Sequence, residues 1–295
     1  MAADIHGAHP NVAAINGINS FLVTGKFLAV LKNGEEFLFD QTLRYNPLMT
    51  ADSQKDIQSL KAIGRICAEA LRKMTGQVRA GMTTRELDDI GRAFLEVEGA
   101  RSAPQISYDF PGATCISVSP VIAHGIPDEH VLQAGELIHI DVSAELDGYY
   151  ADTGASLVVS KRERSLERLL DATKATLAKT LRAAKAGSPL NAIGRTVQNE
   201  AGKRGYNVIY NLTSHGIGRK LHESPEGILN YYDPNDDRVL HEGLVLAIEP
   251  FLTTGVGRVI EERDGWGLRT VDRAIAAQFE HTIVVTKNEP IILTQ

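Results

Sequence analysis

The chain has 295 residues, of which 43% are hydrophobic and 23% are charged, and its formal net charge at pH 7 is −6. This length and composition suit one large or two ordinary globular domains, and the acidic balance gives no support to general nucleic-acid or membrane-surface binding. Two cysteines exclude a disulfide framework and a cysteine-rich zinc module, and without a long apolar run or a signal-peptide pattern we expect a cytoplasmic protein.

The first 50 residues read as a small β-rich extension. Segments 20–31 and 36–39 are rich in Phe, Leu and Val, and the sequence KNGE between them is typical of a hairpin turn. We expect this extension to add edge strands or cover a surface, with partner docking as the alternative. The predicted domains are therefore 1–50 and 51–295.

From residue 52 the apolar spacing changes to that of helices. Apolar residues recur at three- and four-residue steps over 57–71, and Thr83 with Glu86 forms a capping box that opens a second helix. Two further helices are predicted over 165–186 and 190–203. Strands are predicted over 115–118, 137–159 (as a hairpin), 208–210, 245–248, 251–253 and 279–285. Because helices precede strands twice, we predict two similar α+β halves that face a cleft.

The hairpin is the most informative stretch. Apolar and polar residues alternate from 138 to 143, and Asp147-Gly148 is typical of a two-residue type I′ turn. Counting outward from this turn places Ser143 opposite Asp152, with Asp141 on the same face as its diagonal neighbour. Two carboxylates so close repel each other unless a cation lies between them. The alternative is that they cap turns or meet arginines on an exposed face, and the hairpin alone leaves both open.

Other charged residues of the chain favour the first alternative, in which a cation lies between the two aspartates. Glu249 and Glu280 are carboxylates in otherwise apolar strands, and such charges are rarely buried unless they are paired or bound to metal. Histidines 124, 215 and 222 occur nearby in glycine-containing segments. Four carboxylates and an imidazole suit two bridged divalent cations, which can share a hydroxide that attacks an amide carbonyl. His215 and His222 are seven residues apart, which does not suit two ligands on one helix face, so we expect one to bind metal and the other to contact substrate.

The order of these residues resembles a known family. The sequences HGIPD, IDV, ADT, HGIGRKLHESP, IEP and AQFEHTIVVT all occur in the order found in methionine aminopeptidases, which are pita-bread metallopeptidases of family M24. The resemblance runs from about residue 52 to the end. The 27 residues from His222 to Glu249 are too few for an inserted helical subdomain, so the chain resembles type I. The resemblance implies an α+β pita-bread fold, with two pseudo-symmetric halves around a central antiparallel sheet, and removal of N-terminal methionine from new proteins and peptides.

The resemblance also implies roles for individual residues. Two divalent ions, Co, Mn, Fe or Zn, would be bound by Asp141, Asp152, His215, Glu249 and Glu280, with Asp152 and Glu280 bridging. His124 and His222 would contact the scissile amide, and Glu249 would also carry the proton of the bridging hydroxide. The methionine pocket would be lined by Phe110, Cys115, Leu221 and Trp266.

The chain departs from the family pattern at several positions. Ser107 replaces a frequent tyrosine, with Tyr108 beside it, and Lys220-Leu221 replaces a frequent Gly-Phe pair. Ser119 and Ala276 replace the Asn and Ser of a monovalent-cation site. These differences bear on pocket width and substrate range rather than on the metal chemistry.

Two other functions compete with this interpretation. A related Xaa-Pro peptidase would normally carry a large N-terminal domain, for which 50 residues are too few. An inactive pita-bread binding protein, acting on the ribosome or RNA, would have lost metal ligands, whereas all five are present here. We expect a monomer that acts on peptide or nascent-chain N-termini, with the ribosome as a candidate partner and without membrane or specific nucleic-acid binding.

Overall fold

The computed structural model describes residues 51–161 and 163–295, together with four backbone segments nearer the N-terminus, and the chain divides into the compact units Met1–Asn46 and Pro47–Gln295. The first unit contains an antiparallel sheet whose strands pair in chain order. Its strands are β1 (Ala13–Ile15), β2 (Ile18–Val23), β3 (Lys26–Val30) and β4 (Glu36–Asp40). Strands β3 and β4 pair as the predicted hairpin requires. Its turn and the domain boundary at residue 50 lie outside the described residues and stay predictions.

The first half of the second unit contains two long helices followed by strands. Its elements are α1 (Gln54–Gln77), α2 (Thr84–Val97), β5 (Arg101–Ser102), α3 (Ala103–Tyr108), β6 (Cys115–Val118), β7 (Val121–Ala123), β8 (Leu137–Leu146) and β9 (Tyr149–Val158). The predicted capping box opens α2: the hydroxyl of Thr83 accepts from the amide of Glu86, whose carboxylate accepts from the amide of Thr83. These bonds satisfy amides that the helix itself leaves unpaired.

The second half repeats the order of helices and then strands. Its elements are α4 (Arg164–Ala183), α5 (Asn191–Lys203), β10 (Asn207–Val208), β11 (Thr213–Gly216), β12 (Glu223–Leu229), β13 (Val245–Ile248), β14 (Phe251–Thr253), β15 (Val259–Glu261), β16 (Leu268–Thr270), β17 (Ala276–Gln278), β18 (His281–Val284) and β19 (Ile291–Ile292). Residues 230–244, between β12 and β13, contain no helix, as the short spacing predicted.

The single strand predicted over 279–285 is wrong. The chain forms β17 and β18 with a break at Phe279 and Glu280, because β17 pairs with β14 whereas β18 pairs with β13. Helix α3 was not predicted, and neither were eight short strands: β5, β7, β11, β12, β15, β16, β17 and β19. Their sequences are short or rich in polar residues and glycine, which conceals the two-residue period of a strand.

The hairpin of β8 and β9 is paired as predicted. Leu146 faces Tyr149 next to the turn, and Ser143 faces Asp152 further along. Asp147 and Gly148 have φ angles of 52° and 79°, the positive values that a type I′ turn requires. The register that places the two aspartates on one face is therefore set by local sequence.

The two halves meet where β9 runs beside the break between β17 and β18. Ala155 forms a bridge with Phe279, and the amide of Glu280 donates to the carbonyl of Gly154 at 3.0 Å. The hydroxyl of Thr282 accepts from the amide of Asp152 and donates to its carbonyl, at 2.8 and 2.7 Å. These contacts fix the hairpin of the first half against the strands of the second.

Helix α1 packs its apolar face against this hairpin. Buried residues of α1 and of the two strands share one hydrophobic cluster, which includes Leu60, Ile63, Met74, Ile140 and Val142. Burying each such side chain contributes about 1.5–3 kcal/mol. The strands that carry the candidate site therefore have a rigid apolar backing. Within the described part of the chain, no helix combines the length and apolarity needed to cross a bilayer.

Candidate metal centre and substrate cleft

The five predicted ligands come from five places in the fold. Asp141 lies on β8, Asp152 on β9 and His215 on β11. Glu249 lies between β13 and β14, and Glu280 lies between β17 and β18. The two glutamates therefore stand at interruptions of strands rather than inside them. Pro250 accounts for the first interruption, since it has no amide to donate to the ladder.

The structure brings all five side chains together. One ligand atom each from Asp152, His215 and Glu280 lies within 4.8 Å of the others. Nε2 of His215 is 3.6 Å from Oε1 of Glu249. Asp141 is the diagonal neighbour of Asp152 across the hairpin, close enough for the two carboxylates to repel each other. Elements far apart in sequence thus form one acidic cluster with a single imidazole.

Burial divides this cluster into a closed side and an open side. Asp152, His215 and Glu280 are 6%, 5% and 1% exposed, whereas Asp141 and Glu249 are only half-buried. Oδ1 of Asp152 and Oε1 of Glu280 are buried without a hydrogen-bond partner. A buried carboxylate oxygen without a partner is costly, and a divalent cation would satisfy both atoms. The donors present therefore fit a metal centre.

The electrostatics of the cluster agree with this fit. Burial, followed by repulsion from Asp152, raises the pKa of Asp141, Glu249 and Glu280 well above ordinary carboxyl values. Burial also raises the pKa of Asp152, although interactions with Asp141 and the nearby His215 oppose the shift. A bound cation would reverse these effects by favouring the ionised carboxylates.

His215 has its ring fixed for ligation. Nδ1 lies 2.9 Å from the carbonyl of Gly216, which can only accept, so Nδ1 carries the proton. Nε2 is then left with a free lone pair on the side of Glu249. A hydrogen bond to the other ring nitrogen is the usual way in which proteins orient a metal-binding histidine.

His124 and His222 are the exposed histidines of the site. His222 stacks at a tilt on His215 with ring centroids 4.1 Å apart, and its Nδ1 lies 2.6 Å from the hydroxyl of Tyr108. His124 follows β7 with a φ of 52°, a left-handed conformation that is uncommon outside glycine. Both rings are solvent-accessible, yet the protein around them lowers the pKa of each, first by desolvation and then through His215.

The predicted pocket residues fall into two groups. Phe110 and Trp266 pack edge to face with ring centroids 5.1 Å apart, and Cys115 faces Asp141 across the pairing of β6 with β8. Of these three residues, Cys115 is the one that the strand pairing places directly beside a residue of the acidic cluster. Leu221, in contrast, is buried in the main hydrophobic cluster with Ile217.

Four residues that shape the site were given no role in it from the sequence. Tyr108 contacts His222, and the carboxylate of Asp88 accepts from the amides of Ala113 and Thr114, which fixes the segment before β6. His139 and Gln278 form a buried chain that reaches Glu280. Gln278 and His139 each stand two residues before a predicted ligand, and this position was the one signal that could have pointed to them.

Comparison with known proteins shows what the whole chain is similar to. The model of metallopeptidase family M24 matches residues 58–287. Methionine aminopeptidase 2 of Bacillus subtilis is 48% identical over 248 residues, which cover 84% of this chain and 100% of that protein. The crystal structure of methionine aminopeptidase from Thermotoga maritima has a TM-score of 0.80 at 32% identity, covering 84% of this chain and 100% of that one. The α+β pita-bread fold expected from the sequence is thereby confirmed.

A prolidase shares the fold at greater distance. The structure of prolidase from Pyrococcus furiosus has a TM-score of 0.68 at 20% identity, covering 84% of this chain and 66% of that one. At this identity the likeness concerns the fold alone.

Proposed function

The chain belongs to metallopeptidase family M24 and removes N-terminal methionine with the help of divalent metal, and we propose that the acidic cluster is its catalytic centre. The observation that carries this assignment is the convergence of five ligand side chains around two buried carboxylate oxygens without partners. In this proposal the metal is held by Asp141, Asp152, His215, Glu249 and Glu280.

Two cations suit the donor set better than one. Four carboxylates and one imidazole exceed the needs of a single tetrahedral site, and the ligand atoms of Asp152, His215 and Glu280 lie within 4.8 Å of one another. All five side chains would hold the pair. Such a pair of divalent cations lowers the pKa of water and polarises the carbonyl under attack. Carboxylate-rich sites accept Mn, Fe, Co or Zn, and metal availability decides among them.

The protein's own groups would handle the proton and the substrate carbonyl. Glu249 is half-buried next to His215, so its carboxylate can exchange a proton with a group in the cleft as well as bind metal. His222 is neutral near pH 7 because its pKa is well below the ordinary value. In the tautomer that suits this role, the hydroxyl of Tyr108, whose own pKa is raised by burial, donates to Nδ1 of His222 and leaves Nε2–H available for the carbonyl or leaving amine. His124 would contact the other side of the scissile amide.

Selectivity for methionine would come from apolar surface beside the cluster. Phe110, Trp266 and Cys115 supply aromatic and sulfur contacts that suit a thioether side chain. A small second residue would be preferred, because the pocket must clear the side chain that follows methionine. Leu221 would act from behind this surface, since it is buried in the core next to His222.

We place this activity in the cytoplasm, on the N-termini of peptides and new chains, in a monomeric enzyme. The two cysteines of the described region are free and buried, which is consistent with a reducing compartment. Residues 1–50 remain a candidate for docking near nascent chains at the ribosome.

The test is release of methionine from Met-Ala-Ser by metal-stripped full-length protein titrated with Mn²⁺ or Co²⁺. We expect turnover that rises with metal and is lost in Asp152→Asn. An Ala-Pro dipeptide serves as the control for the Xaa-Pro peptidase alternative, and we expect no cleavage of it. Metal binding without cleavage of either peptide would instead support a binding protein.

A further inference from the structure

A buried chain of hydrogen bonds leads from His139 to the acidic cluster. Nε2 of His139 lies 2.7 Å from Oε1 of Gln278, and Nε2 of Gln278 lies 3.0 Å from Oε2 of Glu280. All three side chains are buried. The chain reaches the carboxylate oxygen opposite Oε1, which has no partner.

The amide of Gln278 gives this chain a single direction. Its nitrogen can only donate, so Oε2 of Glu280 accepts, and its oxygen can only accept, so Nε2 of His139 carries a proton. If the amide were turned over, its oxygen would face a carboxylate oxygen and repel it. The N–H of His139 therefore selects the one amide orientation that is compatible with an ionised Glu280.

The backbone of Gln278 is fixed independently of this chain. The hydroxyl of Ser156 donates to its carbonyl and accepts from its amide, both at 3.0 Å. These bonds do not restrict the rotation of the side-chain amide, whose oxygen is bonded to His139. Nδ1 of His139 is buried without a partner in the described part of the chain, so the ring acts on its surroundings through Nε2.

The sequence leaves space for the contact at Gly154 on β9. A Cβ at this position would lie 2.7 Å from both Oε1 of Gln278 and Nε2 of His139. Real Cβ atoms do not approach so closely, so any side chain at position 154 would separate these two groups. The glycine permits the hydrogen bond that links His139 to Gln278.

We propose that His139 is a positioning residue of the metal centre. Through Gln278 it fixes Oε2 of Glu280, and with it the orientation of the whole carboxylate, which increases the affinity of the centre for divalent metal. This role rests on the proposed metal centre. Outer hydrogen-bond partners of metal ligands typically contribute roughly 10–100-fold in metal affinity or activity.

The test compares variants that keep or remove the N–H at position 139. His139→Gln retains a donor at a similar distance along the side chain, whereas His139→Phe retains a ring without a donor. Gly154→Ala breaks the same contact without altering either polar residue. Isothermal titration of Mn²⁺ into metal-stripped full-length protein gives the affinity, and the thermal midpoint without metal reports folding. His281→Phe is the matched control, because His281 follows Glu280 directly but bonds Thr294 instead.

We expect His139→Phe and Gly154→Ala to weaken Mn²⁺ binding by roughly 10–100-fold. His139→Gln should restore most of the affinity, and His281→Phe should match the wild type. Unchanged affinity in both His139→Phe and Gly154→Ala, or a His139→Gln variant as weak as His139→Phe, would overturn the role of His139 alone. A wild-type protein that binds no Mn²⁺ would overturn the metal centre and this role with it.

Discussion

The hairpin of β8 and β9 and the two interrupted strands of the second half supply carboxylates to the same cluster in different ways. In the hairpin, regular pairing places Asp141 and Asp152 on one face, and every residue from 137 to 158 outside the turn has a partner in the register. In the second half, Glu249 and Glu280 stand where the chain leaves one ladder for another. Metal ligands can thus be placed by regular strand pairing or by a break in a strand. Only regular pairing leaves a recognisable pattern in the sequence.

The interruptions need outside support. The amide of Glu249 donates to the hydroxyl of Ser214 at 2.9 Å, and that of Glu280 donates to the carbonyl of Gly154. These bonds replace the partners that a continuous ladder would supply. The second region therefore depends on contacts with distant strands, whereas the hairpin contains most of its own support.

The largest effect on activity should come from removing the charge of one candidate ligand, either in the hairpin or in the interrupted strands. Asp141→Asn and Glu280→Gln should each lower kcat/KM by more than the roughly 100-fold upper range of outer-partner effects. In metal-stripped protein each should raise the thermal midpoint, because one of several packed negative charges is gone. Activity assays and thermal melts with and without Mn²⁺ measure both. A lower midpoint in the metal-stripped variants would contradict the repulsion inferred here.

The hairpin turn should be sensitive to backbone strain. Gly148 has a φ of 79°, so Gly148→Ala should cost about 1–2 kcal/mol of unfolding free energy. Urea denaturation measures this cost. Gly202→Ala is the matched control: it lies in α5 with open space around it, and it should stabilise by about 0.5–1 kcal/mol. Equal effects of the two substitutions would show that the turn does not constrain the hairpin.

The hydrogen bond between Tyr108 and His222 joins the first half to the second. Tyr108→Phe removes it while keeping the ring, and a net hydrogen-bond contribution of about 0.5–1.5 kcal/mol predicts a fall in kcat of roughly 2- to 12-fold. KM and the thermal midpoint should change little, since the ring packing is kept. Steady-state kinetics on Met-Ala-Ser separates these parameters. An unchanged kcat would remove Tyr108 from the site.

The smallest effect concerns an ion pair outside both regions. Lys203 and Arg204 lower the pKa of Glu200 to about 2 from an ordinary value of 4.5. Because the folded-state pKa is depressed, the stabilisation is complete above pH 4.5 and is lost as the pH falls toward 2. Glu200→Gln should therefore cost about 0.5 kcal/mol at pH 7 and less at pH 3. Urea titrations at both pH values test the sign, and a difference that grows toward low pH would contradict it.

The parts of the fold and site that depend on residues close together in the sequence could be predicted. The Asp-Gly turn fixes the register of the hairpin, and the capping box fixes the start of α2, because each depends on residues a few positions apart. The order of the charged motifs was sufficient to indicate the family. The strands around His215 were missed because β11 is short, polar and bulged, and its pairing is supplied by neighbouring strands.

Periodicity and turn chemistry are properties of short segments, and they were enough to predict the four long helices and the hairpin register. The candidate ligands were named from the order of the charged motifs, through the resemblance to the family. Three relations became visible only in the folded chain: Glu249 and Glu280 stand at breaks in strands, Tyr108 contacts His222, and His139 connects to Glu280 through Gln278. These relations join residues as far as 139 positions apart. They follow from the packing of elements that are far apart in the sequence, which no local pattern encodes.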